Sequence, residues 1–168
     1  MSERNHILRE GVIAGLIGAT SVAIWFLAID ILIHSPLYTP RVLGHALWSV
    51  FGPVKEGTAV FVAAYTVFHY IAFIVVGIIA AIIVHSARRH PSVMAGFLLV
   101  FVIIEMGFYG ITSMLDTFLP LGALAWYQVA IGNLIAAVLM GYYFYRAHPT
   151  LTRELQHALE GRDDDDGV

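Results

Sequence analysis

Glu105 sits in the stretch FVIIEMGFYG, residues 101–110, where every neighbour is apolar or weakly polar. A charged, unpaired carboxylate at mid-membrane costs at least about 2.5 kcal/mol. Glu105 is therefore expected to be protonated, paired with an imidazolium, or hydrogen-bonded to an amide or phenol. His69 and Asn133 fall near the centres of two other apolar runs, and Asp30, His34 and Tyr109 fall nearer one end of theirs. Helical spacing gathers these groups into columns: Glu105, Tyr109, Thr112 and Asp116 share a stripe, Asp30 and His34 stack one turn apart, and so do Tyr65 and His69. The expectation is a buried polar cluster of Glu105, His69, Asn133, Tyr109, Asp30 and His34, turned away from lipid because lipid offers no hydrogen bonds.

Three chemistries suit such a cluster. Interhelical hydrogen bonds worth about 1 kcal/mol each would select one helix arrangement. A carboxylic acid beside an imidazole would relay protons or accompany an ion wherever water reaches it. His69, Glu105, Asp30 and His34 together are also candidate ligands for Zn, Fe or Mn, although His34 lies some 9 Å of helix rise outward of His69, so uniting all four requires a bent geometry. Bis-histidine haem is not expected, since the third and fourth apolar runs hold no histidine and His69 and His85 are too far apart to share one ring. A haem would need His34 or a partner chain for its second ligand, and the cofactor is left open, with lipid the expected companion. Ser21, Ser35, Ser49 and Ser113 lack a G-x-S-x-G setting and no phosphate-cradling glycine loop occurs, so soluble-type enzyme activity finds no support. His85, beside Arg88, reads as an interfacial histidine, His45 and His90 as loop or surface histidines, and Tyr142, Tyr143 and Tyr145 as an aromatic belt.

The elements that must position these groups follow from composition. The chain has 168 residues, 59% hydrophobic and 12% charged, which excludes a water-soluble globule. Four nearly uncharged runs, about 11–33, 58–84, 93–115 and 122–145, are each long enough to cross a bilayer as a helix. The fold class expected is all-α: four transmembrane helices in an antiparallel bundle forming one domain over residues 1–149. Arg4, Arg9, Arg88, Arg89, Arg146 and Arg153 flank one side of these spans, which puts both termini in the cytoplasm. The first apolar run is too long for a signal peptide and is expected to remain.

In the first outer connection, Thr39 is a candidate cap, Pro40 suits a first turn, and Val42, Leu43, Ala46, Leu47 and Val50 share a stripe. A short interfacial helix over about 40–51 is expected, with Tyr38 and Trp48 at headgroup level. Gly11, Gly15 and Gly18 form a small-residue face suited to close helix packing. VIAGL at 12–16 resembles VMAGF at 93–97, and HYIAFIVVG at 69–77 resembles NLIAAVLMG at 133–141, a faint repeat that would make His69 and Asn133 counterparts. Residues 150–168 read as a brief amphipathic segment and a disordered acidic tail, the DDDD run accounting for a third of the 12 acidic residues.

No basic patch suggests nucleic acid, and the absence of cysteine excludes disulfides and thiolate metal sites. In general look the chain is similar to small four-helix proteins of bacterial inner membranes, with no residue roles carried over. The expected function is that of a structural or accessory subunit of that membrane, packing against lipid and against other membrane proteins or itself as an oligomer. Proton- or ion-coupled transport through Glu105 and His69, or a His/carboxylate metal or redox site, is the alternative.

Overall fold

A computed structural model describes residues 3–33, 35–49, 57–87 and 126–148. They form four helices: α1 (Glu3–Ile33), α2 (Tyr38–Ser49), α3 (Thr58–Ala87) and α4 (Trp126–Ala147). No strand occurs among the described residues. Three helices, over Arg4–Ile33, Thr58–Ser86 and Tyr127–Ala147, are long and apolar enough to cross a membrane, which makes this a helical membrane protein. The expected span over 93–115 and the segment 150–168 lie outside the described residues.

α1 has 31 residues, roughly 46 Å of helix, against a hydrocarbon core of about 30 Å. Its length exceeds that core, and its charged first turns, ERNHILRE, end at Glu10, where the uncharged run begins. α3 carries its apolar residues all round. Val67, Ile71, Val75, Ile79 and Ile82 are exposed along one stripe, while Gly77, Ala80 and Ala81 are buried. A stripe of that kind is stable in hydrocarbon and unfavourable in water.

α1 is the hub, packing against both α3 and α4. Glycine makes the α1–α3 contact possible. A Cβ placed on Gly11 would meet Ile78 Cα at 2.5 Å, and one on Gly15 would meet Phe73 O at 2.5 Å. Gly77 answers from α3, where a Cβ would collide with Gly11 O. Further along, His69 meets Ala19 and Tyr70 meets Thr20, so positions fall along α3 as they rise along α1. Gly18 faces elsewhere, toward Met140 Sδ on α4 and the Phe73 ring. α4 is also held to α1 by Trp25, whose indole N–H donates to Gln128 O at 2.8 Å.

α2 begins in a way the sequence does not announce. Leu37 has φ 65°, the left-handed region, costing a bulky residue about 1–2 kcal/mol. Leu37 O accepts the Arg41 N–H, making Leu37 the N-cap, and leucine has no side-chain acceptor for the helix's open N–H groups. Asp30, fully buried on α1, supplies it instead. Its Oδ2 accepts the Thr39 N–H at 2.9 Å and its Oδ1 accepts the Thr39 hydroxyl at 2.7 Å. Thr39 thus receives a cap rather than acting as one. The carboxylate at a helix N-terminus also matches the helix dipole.

Candidate metal centre

At the end of the bundle where α1 starts and α3 and α4 finish, the helices are drawn together by small residues. Ala14, Ala80 and Ala81 pack with Met140 and Phe144 into a buried apolar cluster, flanked by Ile7, Phe73, Val84 and Tyr143. Above this floor sits Glu10, 7% exposed.

Three imidazoles surround the Glu10 carboxylate: His6 from α1, His85 from α3 and His148 from just beyond the end of α4. His6 lies one turn before Glu10 on α1, so the two side chains share a face, and its Nδ1 is 3.1 Å from Glu10 Oε1. His85, near the end of α3, places Nε2 3.8 Å from Glu10 Oε2. His148 extends α4 by one residue, its N–H bonded to Phe144 O at 3.0 Å, before Pro149. Its Nε2 lies 3.0 Å from Glu10 Oε2 and its side chain is 3% exposed. The His85 and His148 rings meet edge to face, with centroids 4.9 Å apart.

The His85 tautomer is decided by its other nitrogen. Nδ1 is 3.0 Å from Ala81 O, a carbonyl that can only accept, so Nδ1 carries a proton and donates it. In the neutral ring Nε2 then turns its lone pair toward the carboxylate. A proton on either group, a bridging water or a metal ion between them reconciles two acceptors in that arrangement.

The arrangement has the parts of a metal site. One ligand atom from each of His6, Glu10 and His85 lies within 4.8 Å of the other two. Two ligands of one ion, each about 2.1 Å from it, are at most about 4.2 Å apart. His6 Nδ1 is 3.1 Å from Oε1 and His85 Nε2 is 3.8 Å from Oε2, each inside that limit for the oxygen it faces, and His6, 64% exposed near the start of α1, has room to close on the ion. The supporting bonds are of the kind that orient ligands: His85 donates its second N–H to a backbone carbonyl, and His148 bonds the carboxylate. Two imidazoles and a carboxylate suit Fe(II), Mn(II) or Zn(II).

The cluster expected deeper in the membrane is only partly within the described residues. Glu105, Tyr109 and His34 lie outside them. Asp30 and His69 line one cavity of about 240 Å³ between α1, α2 and α3. Both Asp30 oxygens are engaged by Thr39. His69 donates its Nε2 proton to Ala19 O at 3.0 Å and stacks on Tyr65. Asn133 is half-buried on α4 and makes an interaction of its own. Among the described residues, the His and carboxylate groups that converge as ligands are His6, Glu10 and His85, not Asp30 and His69.

Sequence reasoning treated His85 as an interfacial histidine and passed over Glu10, His6 and His148. The available signal was His6-x-x-x-Glu10, a carboxylate and an imidazole one turn apart where the charged start of α1 meets its apolar run, with His85 and His148 at the matching ends of two other apolar runs. The chain is thus a helical membrane protein with a histidine-ringed carboxylate at one end of its bundle. No family model, curated protein or solved structure matches it.

Proposed function

We propose that this protein binds a divalent transition-metal ion at the end of its helix bundle, through His6, Glu10 and His85, with His148 holding the carboxylate in place. The observation that carries this reading is the convergence of one ligand atom each from His6, Glu10 and His85 within 4.8 Å of one another, with His85 Nδ1 turned to Ala81 O and Nε2 toward the nearly buried carboxylate. His/carboxylate metal chemistry was one of the sequence-based alternatives. The reading keeps that chemistry and moves it from the middle of the membrane to its edge.

In this reading the chain is an antiparallel bundle in a bacterial inner membrane, with both termini and the metal centre at the cytoplasmic face and α2 at the outer surface. The basic residues support this orientation: Arg4 and Arg9 precede the first apolar run, Arg88 and Arg89 follow the second, and Arg146 and Arg153 lie at the end of the last. The ion joins residues of α1 and α3 directly and α4 through His148, so its binding energy also holds the bundle end together. The exposed apolar stripe of α3 supports a second, compatible role as a subunit packing against another membrane protein, and co-purification at fixed stoichiometry under mild detergent tests it.

The metal reading is tested by adding Co(II) to chelator-treated protein in detergent and recording visible absorption. One Co(II) per chain with d–d bands is expected for the wild type, and loss of those bands in Glu10→Gln with His85→Phe. An unchanged spectrum in that double variant, or no binding by the wild type, would leave the cluster as a purely protonic network.

A further inference from the structure

Resting on the metal reading above, we infer that the ion keeps coordination positions open to water, and that the centre takes a small water-borne ligand, a diatomic or a small anion, rather than a lipid. Among the described residues, three groups supply the protein ligands, and each offers one atom. Glu10 offers Oε1, which faces His6 Nδ1 at 3.1 Å, while Oε2 is held by His148 Nε2 at 3.0 Å and lies 3.8 Å from His85 Nε2. With His148 bonded to Oε2, the arrangement assigns Oε1 as the oxygen that meets the metal. Fe(II) or Mn(II), which favour six ligands, would then have three places left, the pattern of a two-histidine, one-carboxylate site with open positions.

The direction of those places follows from burial. On the membrane side, Ala14, Ala81 and Phe144 form a dry floor. On the α4 side, His148 is 3% exposed and packs edge to face on His85, which closes that wall. His6 is the outlier at 64% exposed, against 13% for His85 and 9% for Glu10. Free positions on the ion therefore face the side where His6 meets the aqueous phase. A ligand arriving through the hydrocarbon would have to cross the packed alanine and phenylalanine layer. Among the described residues, one arriving from water meets the His6 ring.

The geometry separates this centre from a structural metal clamp. A clamp saturates its ion with protein ligands, whereas a site with open positions binds exogenous molecules. It also assigns distinct parts to the histidines: His6 and His85 are ligands, and His148 is a positioning residue that fixes which Glu10 oxygen points at the metal.

The test is nitric oxide binding to the full chain loaded anaerobically with Fe(II) in nanodiscs, read by electron paramagnetic resonance. The Fe(II) protein should give an S = 3/2 nitrosyl signal, and the signal should broaden in ¹⁷O-enriched water, because water occupies the remaining positions. His148→Phe should still form a nitrosyl, with the ¹⁷O broadening reduced as the freed carboxylate oxygen displaces water. Iron bound one per chain without a nitrosyl signal would show a closed shell and overturn this inference while leaving the metal reading intact. A nitrosyl signal without ¹⁷O broadening would overturn the water-facing position. Failure of the wild type to bind Fe(II), Mn(II) or Zn(II) at all would remove both.

Discussion

His148→Phe separates support of the carboxylate from ligation. Phenylalanine keeps the ring against His85 and the apolar floor but removes the hydrogen bond to Glu10 Oε2, which is 3.0 Å long. Losing such a supporting bond typically weakens metal binding by about 10–100-fold. The consequence is readable as thermal stability, because an ion that binds only the folded chain stabilises it by RT ln(1 + [M]/Kd). With metal at about 100 times the wild-type Kd, the gain is about 2.7 kcal/mol. At the same concentration the variant sees about 10 to 1 times its own Kd, and the gain falls to about 1.4–0.4 kcal/mol. A domain of this size shifts by roughly 2–4 °C per kcal/mol, so the wild-type rise of about 5–11 °C should shrink to about 1–6 °C. Unfolding of detergent-solubilised protein, followed by circular dichroism with and without Zn(II), measures both. A variant that keeps the full wild-type shift would refute the placement of His148 in this role, and no shift in either protein would refute the site.

Acid should release the ion, since His6 and His85 must be unprotonated to ligate. The fraction of metal retained is expected to fall as the solution is acidified, as elemental analysis of the equilibrated protein would record. Asp30→Ala should loosen the start of α2 by about 0.5–2 kcal/mol through loss of its cap, seen as faster hydrogen exchange over residues 38–49, whereas Asp30→Asn, which keeps one acceptor, should fall between. Gly15→Leu should destabilise by at least about 1–3 kcal/mol, because even its Cβ would meet Phe73 O at 2.5 Å. Gly141→Leu, where a Cβ meets nothing within 4 Å, should stay within about 0.5 kcal/mol of wild type by the same melting assay.

How far the sequence foretold this molecule depends on the physics behind each feature. Apolar runs of membrane-crossing length are set by local composition, so the three long helices were legible to within a few residues at most ends. The Gly11, Gly15 and Gly18 face was legible as a packing surface, but its partners were not. Gly11 and Gly15 meet α3 while Gly18 also meets α4, and that division depends on how the helices cross. The α2 N-terminus was misassigned in detail because its cap arrives from α1. Asp30 is nine residues from Thr39, and no local pattern shows that Leu37 adopts positive φ to bring them together. The His6, Glu10, His85 and His148 cluster was not legible, because the cost of burial singles out polar residues deep in the apolar runs. Glu10, His85 and His148 lie at run ends, where charge is ordinary, and their convergence is a property of three helix ends meeting. Glu10 and His148 are 138 residues apart in the chain.

The most direct test of the account is X-ray absorption at the metal K-edge of Zn(II)-loaded protein in nanodiscs. The predicted first shell is nitrogen and oxygen at about 2.0–2.1 Å, with outer-shell scattering from two imidazoles falling to one in His85→Phe. A shell without imidazole scattering, or one unchanged by that substitution, would contradict it.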